Sequence, residues 1–445
     1  MPRKVPNIVT PPPGPEALKW LKRDEDTMAP YNRPFYYPLV VAGGEGAIVR
    51  DVDGNEYIDW NCGLGVLNVG QCHPRIVEAI TSKAKRFMHY SYTDFRYTEP
   101  VAVAERLNQI LPMQCKYFFA NSGTEANEAA FKVARHFTKR QLFIGFINSF
   151  HGRTFGTMAF SSTSPVQRRY FHPLMPGVTL VPYPYCYRCP YKLEYPGCNL
   201  WCVDFIDEWV LQKFVPPEEV AAFFIEPIAG EAGYVVPPPE FFPRLKKLAD
   251  KYEILLIADE VQVGCGRTGR FLAIEHWNVV PDVVTLAKAI AGGAPLSVTA
   301  VRKDVMNLPA GSHCVTTGGN PVSCAAALAY LDILFEEKLM EKATELGEYT
   351  MKRLKEMQER YEVVGDVRGK GLAICIELVK DRKTKEPVDS KDFIGRMFRK
   401  GVVAVSGGLG VRIFPPLIIS RDMMDTGLEI LESTIKEVNE ECRRR

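Results

Sequence analysis

The sequence predicts an α/β protein in which helices cover a large, mostly parallel mixed sheet, together with a smaller α+β domain. Its strands stand out as short, almost wholly apolar runs between stretches of helical spacing, and they read LFIGF, VTLVPY, AAFFIEP, EILLIADE and DVVTLA. Such runs are typical of parallel strands that are buried on both faces. The chain has 445 residues, 46% hydrophobic and 24% charged, which is ordinary globular usage and excludes a collagen, a disordered tail or a long coiled coil.

The N-terminal elements are an arm and a hairpin. Residues 1–35 are rich in proline and polar residues and predict an irregular arm. Residues 46–59 alternate apolar and polar side chains around Asp53, Gly54 and Asn55, which predicts a β-hairpin with a tight turn. We expect residues 1–59 to join the smaller domain.

The large domain is expected over residues 60–325. Apolar residues have helical spacing at residues 73–89, 98–111 and 124–139, and the strand CKYFFA lies between the second and third of these stretches. The apolar runs of the other strands follow them. A long helix is predicted over residues 322–335, and after it come a helix, strands around GLAICIEL and VRIFPPL, and a final helix near residues 423–438. We therefore assign residues 326–445 to the smaller domain.

Charge and targeting patterns narrow the function. Lysine plus arginine (55) nearly balances aspartate plus glutamate (53), so the chain has no bulk positive field for nucleic acid. The best apolar run, residues 283–301, is interrupted by Lys288, two glycines and a proline, so no membrane span is expected. The first twenty residues lack the apolar core of a signal peptide, and we expect a cytoplasmic protein.

The first candidate site follows the strand CKYFFA, where Ser122, Gly123 and Thr124 open a helix. Ser122 and Glu125 have the spacing of a capping box. Free N–H groups at a helix start bind phosphate well, and a glycine allows close approach. From this stretch alone, a capped helix without a ligand is the alternative.

Two further candidates are Asp259, at the end of EILLIADE, and Lys288, at the end of the apolar strand DVVTLA. The carboxylate of Asp259, at the end of a buried strand, needs a hydrogen-bond donor or a positive charge beside it. Backbone N–H groups of a loop or a protonated ring nitrogen would each supply one. A lysine between apolar stretches indicates a nucleophilic amine, although it could also extend to the surface. Together with the phosphate cradle, these residues supply what pyridoxal phosphate requires.

Other motifs are weaker. The stretch from Gly264 to Gly269 fits G-x-G-x-x-G, but it does not open an obvious helix, so we interpret it as a chance match. Four cysteines in a proline- and tyrosine-rich insertion could bind zinc, form disulfides or stay free: Cys186, Cys189, Cys198 and Cys202. Their eight-residue gap is short for a zinc ribbon, and we assign no metal site.

Ordered motifs along almost the whole chain resemble the class III, omega-type aminotransferases, which are fold-type-I pyridoxal-phosphate enzymes. The motifs are DVDGNEYIDW, NSGTEANEAA, FHGRT, IEPIAGEAG, IADEVQVGCGRTG, AKAIAGGAPLS, TTGGNP and VRGKGL. The family includes 4-aminobutyrate and ornithine aminotransferases. The resemblance implies a homodimer, or a higher homo-oligomer, with shared active sites.

The resemblance also implies roles around the cofactor. Lys288 would form the Schiff base with its aldehyde, Asp259 would pair with the pyridine nitrogen, and Phe150 would stack on the ring. Gln262 would lie near the phenolic oxygen or the ring face. Gly123 and Thr124 would bind the phosphate, joined by Thr316 from the neighbouring subunit. The other residues expected around the cofactor are Ser122, His151, Glu226 and Val261.

At the substrate, Arg153 and Arg412 resemble the two carboxylate-binding arginines of the 4-aminobutyrate type. Glu231 would pair with Arg412 and release it when a dicarboxylate arrives. Without the resemblance, structural salt bridges would explain both arginines.

Our main hypothesis is therefore transfer of an amino group from an amino acid to 2-oxoglutarate. Racemisation or epimerisation of an amino acid is the alternative, because relatives in the same family do this with identical first steps. A catalytically silent cofactor-binding scaffold would leave the combination of Lys288, Asp259 and the cradle unexplained.

Overall fold

The structure is a computed structural model that describes residues 5–30 and 36–444. It divides into two compact units, a larger one formed by Arg75–Met340 and a smaller one formed by the described residues of Met1–Pro74 and Glu341–Arg445. The sequence predicts domain boundaries at residues 59/60 and 325/326, whereas the two units divide at residues 74/75 and 340/341. The second boundary differs because the helix over residues 321–336 packs on the helix over residues 98–110, within the larger unit.

The helices within the described residues are α1 (Pro15–Thr27), α2 (Cys62–Gly65), α3 (Pro74–Arg86), α4 (Thr98–Ile110), α5 (Gly123–Thr138), α6 (Phe155–Phe160), α7 (Trp201–Phe205), α8 (Phe241–Lys251), α9 (Pro321–Glu336), α10 (Leu339–Arg360), α11 (Ser390–Arg399) and α12 (Arg421–Arg443). Among these described segments, no helix is both long enough and apolar enough to cross a membrane.

The strands are β1 (Val41–Glu45), β2 (Ile48–Asp51), β3 (Glu56–Asp59), β4 (Cys115–Ala120), β5 (Leu142–Phe146), β6 (Val178–Val181), β7 (Val220–Ile225), β8 (Leu255–Asp259), β9 (Val283–Leu286), β10 (Ser297–Arg302), β11 (Val364–Lys370), β12 (Ala373–Asp381), β13 (Glu386–Pro387), β14 (Val402–Val403), β15 (Val405–Gly407) and β16 (Gly410–Ile413). All of the strands expected from the apolar runs are present.

A seven-stranded sheet forms the centre of the larger unit, in the order β4-β10-β9-β8-β7-β5-β6. Every residue of β7, β8 and β9 is buried, so both faces of the sheet are covered. All neighbouring pairs are parallel except the two that involve β10. The predicted mostly parallel sheet is therefore confirmed, and β10 makes it mixed.

The sheet topology brings the predicted site residues to one edge. Strands β4, β5, β7, β8 and β9 all run in the same direction, so their carboxyl ends lie along the same side of the sheet. Ligands of open α/β sheets bind beyond these carboxyl ends. Asp259 ends β8, and the segments that follow the other four strands carry Ser122 to Thr124, Phe150 to Arg153, Glu226 and Lys288.

An aromatic core supports this edge. The ring of Phe131 on α5 lies 4.6 Å from that of Phe160 and 4.9 Å from that of Phe224 on β7. All three side chains are buried. Helix α5 is therefore anchored to the sheet by large rings, which fixes the position of its N-terminus.

The smaller unit combines N-terminal and C-terminal segments. Strands β2 and β3 pair antiparallel, which confirms the predicted hairpin, and β3 also pairs in parallel with β14 from the C-terminal part. A second sheet has the order β11-β12-β16-β15. Because β14 lies beside β3, the N-terminal hairpin and the tail share one sheet.

The prediction of an irregular arm over residues 1–35 was wrong for the part that forms α1. Pro15 starts this helix, and the Asp53 carboxylate accepts the N–H groups of Glu16 and Ala17, both at 2.8 Å. This cap comes from the hairpin turn, so local sequence does not reveal it. Residues 1–4 and 31–35 of the predicted arm lie outside the described residues.

Candidate active site

Asp259 ends β8 and is 3% exposed. Its Oδ2 accepts hydrogen bonds from Asn127 Nδ2 at 2.9 Å and from His151 Nδ1 at 2.7 Å. Its Oδ1 accepts the N–H of Val261 at 3.0 Å. These donors stabilise a buried carboxylate, and Oδ1 retains room for one more.

His151 is the side chain in closest contact with Asp259. Its ring is buried, with its centroid 4.2 Å from that of Phe224, and its backbone N–H donates to Ser161 Oγ at 2.9 Å. The Nε2 atom is buried without a hydrogen-bond partner among the described residues. Since Nδ1 points at a carboxylate, the ring is held in the orientation that donates to Asp259.

The N-terminus of α5 has the predicted capping box. Ser122 accepts the N–H of Glu125, and the Glu125 carboxylate accepts the N–H of Ser122 at 2.8 Å. The next residues, Gly123 and Thr124, occupy the first turn of a 16-residue helix, where backbone N–H groups face outward along the axis. The Thr124 hydroxyl lies 2.8 Å from that of Thr157.

Lys288 lies two residues beyond β9 rather than on the strand itself. It is half-buried and begins a short helical turn, Lys288–Ala291, with a φ of +46°. A non-glycine residue rarely adopts this backbone, and such strain is concentrated at functional sites.

Glu226 follows β7 and is 4% exposed. Its two carboxylate oxygens accept the N–H groups of Phe150 at 2.8 Å and Gly230 at 2.9 Å. Burial raises the pKa of Glu226 to about 7, while the nearby His151 opposes this increase. Glu226 therefore joins the loop that carries Phe150 to the segment that carries Glu231.

The residues predicted at the substrate are spread over both units. In the larger unit, Gln262 Nε2 donates to Glu231 Oε1 at 3.3 Å, and the exposed Arg153 lies 5.4 Å over the Phe150 ring. Thr316 is exposed. The predicted contact between Glu231 and Arg412 stays a prediction.

Arg412 lies on β16 in the smaller unit and its side chain is fully buried. A Cβ atom at Gly407 would come within 2.5 Å of Arg412 Cδ and Nε, so this glycine leaves room for the guanidinium stem. The guanidinium carbon lies 5.2 Å from the Phe414 ring centroid. A buried guanidinium requires compensation by partners, which is consistent with a binding role and with a structural one.

Asn127 and Ser161 belong to this cluster but were not assigned by sequence reasoning. Asn127 stands within the quoted motif NSGTEANEAA, four residues after Gly123 and therefore on the same face of α5. Farther along that face lie the buried Ala130 and Phe131. A polar side chain on an otherwise apolar helix face was the signal that could have identified it.

The cysteine insertion lies within the larger unit. Its four cysteines line a common pocket with several tyrosines, and all four are free thiols. Among the residues that the structure describes, no group of three or more histidine, cysteine, aspartate or glutamate side chains is arranged to hold a metal ion.

The geometry at the sheet edge fits pyridoxal phosphate. The outward N–H groups of α5 suit its phosphate, and the remaining acceptor of Asp259 suits its protonated ring nitrogen. Val261, whose N–H holds Asp259, also packs against Gly123, where a Cβ would lie 2.8 Å from Val261 Cγ1. The phosphate and ring-nitrogen ends of the site are thus fixed to each other.

We expect Gly152→Ala to weaken cofactor binding. Gly152 has a φ of +137°, and a Cβ there would lie 2.3 Å from Thr124 Oγ1. Overpacking of this kind costs about 1–3 kcal/mol, so affinity should fall by about 5- to 150-fold. Titration of the apoprotein, followed by visible absorbance, measures this. Gly197→Ala is the matched control, since its nearest contact would be 3.5 Å away. An unchanged dissociation constant in folded Gly152→Ala would contradict the cradle.

We also expect stability to fall as pH rises, partly because of Glu260. This side chain is 1% exposed and accepts the N–H groups of Ala273 and Ile274 at 2.9 and 2.8 Å. Burial raises the pKa of Glu260 from 4.5 to about 8. Between these two pKa values the folded state holds a proton that the unfolded chain has lost. The stabilisation that Glu260 contributes is therefore fully present below pH 4.5 and is lost as the pH rises to about 8.

Urea unfolding at pH values of about 5 and about 8 tests this account, with Glu260→Gln against the exposed Glu218→Gln. The Glu260 variant should be less stable at the acidic pH, because glutamine accepts only one of the two N–H bonds, and should depend less on pH. An equal pH dependence in both variants would show that Glu260 titrates normally.

Three relatives are similar in sequence to most of this chain. Alanine/serine racemase of Pyrococcus horikoshii is 39% identical over 97% of this chain and 93% of its own. Leucine/methionine racemase of Thermococcus litoralis is 41% identical over 94% of this chain and 97% of its own. A probable 4-aminobutyrate aminotransferase of Bacillus subtilis is 36% identical over 88% of this chain and 92% of its own.

Solved structures agree on the fold. An aminotransferase from Bacillus anthracis superposes with a TM-score of 0.88 at 32% identity, covering 95% of this chain and 99% of that chain. An amine transaminase from an uncultivated Pseudomonas species, in its PLP-bound form, superposes with a TM-score of 0.85 at 30% identity. The match covers 92% of this chain and 97% of that chain. The class-III aminotransferase family matches residues 28–435. The chain therefore belongs to the class III aminotransferase family, whose cofactor is pyridoxal phosphate.

Proposed function

We propose that the protein transfers an amino group from an amino acid to 2-oxoglutarate, with Lys288 and Asp259 as its catalytic residues. The observation that carries the proposal is the buried Asp259 carboxylate, held by His151 and Asn127 at the sheet edge that also carries the α5 N-terminus and Lys288. Membership of the aminotransferase family supports it.

When bound, pyridoxal phosphate joins an amine through its aldehyde carbon and withdraws electrons from the adjacent C–H bond. Lys288 would hold the aldehyde end of the cofactor, and its amine, once displaced by the substrate amine, would remove the proton from the amine-bearing carbon. Asp259 would keep the ring nitrogen protonated through its negative charge. Gly123 and Thr124 would bind the phosphate, Phe150 would support the ring, and Gln262 would orient the phenolic side of the ring.

At the substrate, arginine side chains bind carboxylates bidentately. Arg153 is exposed at the sheet edge and would bind one end of a dicarboxylate, and Arg412 would bind the other. Glu231 would neutralise Arg412 while an amine end occupies the site. The relative described as a probable 4-aminobutyrate aminotransferase supports a substrate of this class.

We expect Glu231→Ala to separate classes of amino donor. With Arg412 uncovered, ω-amines such as 4-aminobutyrate should react about 10-fold more slowly, while α-amino acids, whose carboxylate can meet the arginine, should gain relatively. Stopped-flow measurement of the donor half-reaction gives both rates. Glu218→Ala, at an exposed position, is the control. Equal losses for both donor classes would make Glu231 structural.

Racemisation is the second candidate, and the two archaeal racemase relatives favour it, at 39% and 41% identity. A racemase uses the same lysine and the same aspartate but returns the proton to the carbon that lost it. It needs no oxo acid, so the substrate arginines would then have only one carboxylate to bind.

Chiral analysis of single amino acids, with and without 2-oxoglutarate, tests the proposal. Alanine, leucine and ornithine should keep their optical purity when incubated alone, and glutamate should form once the acceptor is added. Lys288→Ala supplies the background for both signals. Loss of optical purity without an acceptor, with no glutamate formed when it is present, would replace transfer by racemisation.

We further propose a homodimer in which Thr316 of one subunit reaches the phosphate of the other, consistent with its exposed side chain. Light scattering of the purified protein reports the mass directly. Location in the cytoplasm stays a prediction from the sequence.

A further inference from the structure

Asn127 joins helix α5 to the end of β8, and the chemistry described above uses it only as one of the donors that hold Asp259. It lies one turn from the start of the helix, with a side chain that is 1% exposed. Its Nδ2 donates to Asp259 Oδ2 at 2.9 Å and to the backbone carbonyl of His151 at 2.8 Å. Both amide protons are thus used, one on each of two segments of the site.

The orientation of this amide is determined by its partners. Reversing it would place Oδ1 against a carboxylate and a carbonyl, neither of which can donate. In the observed orientation, Oδ1 of Asn127 is buried without a hydrogen-bond partner among the described residues. An unsatisfied buried acceptor reduces stability, so the two donated bonds, rather than packing, explain an asparagine at this position.

The contact restricts how Asp259 can be used. Its Oδ2 accepts from both Asn127 and His151, which occupies both lone pairs of that oxygen. Its Oδ1 accepts the N–H of Val261 at 3.0 Å. A further donor can therefore be accepted at Oδ1 but not at Oδ2.

Helix α5 is a rigid support for this contact. Its start is fixed by the capping box of Ser122 and Glu125, and the hydroxyl of Thr299 on β10 donates to the carbonyl of Ala126 at 2.8 Å. Asn127 follows immediately. The position of the carboxylate is thereby tied to the same helix that forms the phosphate cradle.

We propose that Asn127 is a positioning residue, which holds Asp259 Oδ2 and the segment of His151 so that Oδ1 faces the ring nitrogen of pyridoxal phosphate. This inference rests on the proposed function, in which Asp259 is the partner of that nitrogen. Asn127 acts through Asp259 and does not itself bind the cofactor.

The test compares Asn127→Leu and Asn127→Ala with Asn108→Leu. Asn108 is a fitting control because it also bridges backbone and side chain, accepting the Cys115 N–H at 2.8 Å and the Tyr117 hydroxyl at 3.0 Å, outside the candidate site. Each holoenzyme is prepared with pyridoxal phosphate isotopically labelled at its ring nitrogen. The NMR shift of that nitrogen reports its protonation, and an absorbance titration gives the dissociation constant.

Both Asn127 variants should move the nitrogen signal toward the unprotonated position and weaken cofactor binding about 10-fold or more. Asn108→Leu should lower thermal stability alone. Asn127→Ala removes the donors without adding atoms, so it covers the case in which leucine disturbs folding. A wild-type nitrogen signal and dissociation constant in Asn127→Ala would overturn the inference. Asp259→Asn distinguishes a failure of the Asp259 role from a failure of the Asn127 role. If Asp259→Asn also leaves the nitrogen signal unchanged, the proposed role of Asp259 fails. If Asp259→Asn moves the signal and the Asn127 variants do not, only the positioning role of Asn127 fails.

Discussion

Lys288→Ala is expected to reduce turnover by about 1,000-fold or more, because the variant loses both the covalent attachment of the cofactor and the base that removes the substrate proton. Lys288 follows β9 at the edge where Asp259 and the α5 N-terminus also lie. The variant should still bind pyridoxal phosphate through the cradle, without the visible absorption of the attached form. Rapid-mixing absorbance of the donor half-reaction measures the loss.

Lys303→Ala is the matched control, since Lys303 also follows a strand, β10, but is exposed. It should retain wild-type rates. Half-reaction rates of Lys288→Ala within a few-fold of the control would remove Lys288 from its role.

Asp259→Asn should retain the fold and bind cofactor, but lose about 100- to 1,000-fold in removal of the substrate proton. The neutral amide cannot keep the ring nitrogen protonated, and its NH₂ group must face one of the donors that now serve the carboxylate: Asn127, His151 or the N–H of Val261. Exchange of the substrate's hydrogen for solvent deuterium isolates this step from the rest of the cycle.

Asp282→Asn controls for the loss of a buried carboxylate. Asp282 is 4% exposed, precedes β9 at the opposite end of the same sheet, and accepts the N–H of Leu256 at 2.8 Å. It should lower stability while leaving deuterium exchange intact. Normal exchange in Asp259→Asn would contradict the assignment.

Much of the site could be predicted because strand ends carry strong local signals. Asp259 and Lys288 each interrupt an apolar run, and Ser122 with Glu125 has the spacing of a cap that the structure contains. A parallel sheet then brings such ends together without further information. Local pattern was thus enough to gather the residues at one edge of the sheet.

The remainder depends on contacts between distant segments. Helix α1 is capped by Asp53, and Asn127 is explained only by its contacts with Asp259 and His151. Strand β10 was missed because its apolar residues continue from the glycine-rich stretch after Lys288, which hides where a strand begins. Pairing partners of this kind are set by tertiary structure and leave no periodic signal in one sequence.

The most direct test of the account is to locate the cofactor on the chain. Purified holoenzyme is treated with borohydride, digested and analysed by mass spectrometry for the peptide that carries the pyridoxyl group. The account predicts a single modified residue, Lys288, in wild type and in Lys303→Ala, and no modified peptide in Lys288→Ala. A pyridoxyl group on any other lysine of the wild-type protein, or its persistence in Lys288→Ala, would contradict the account.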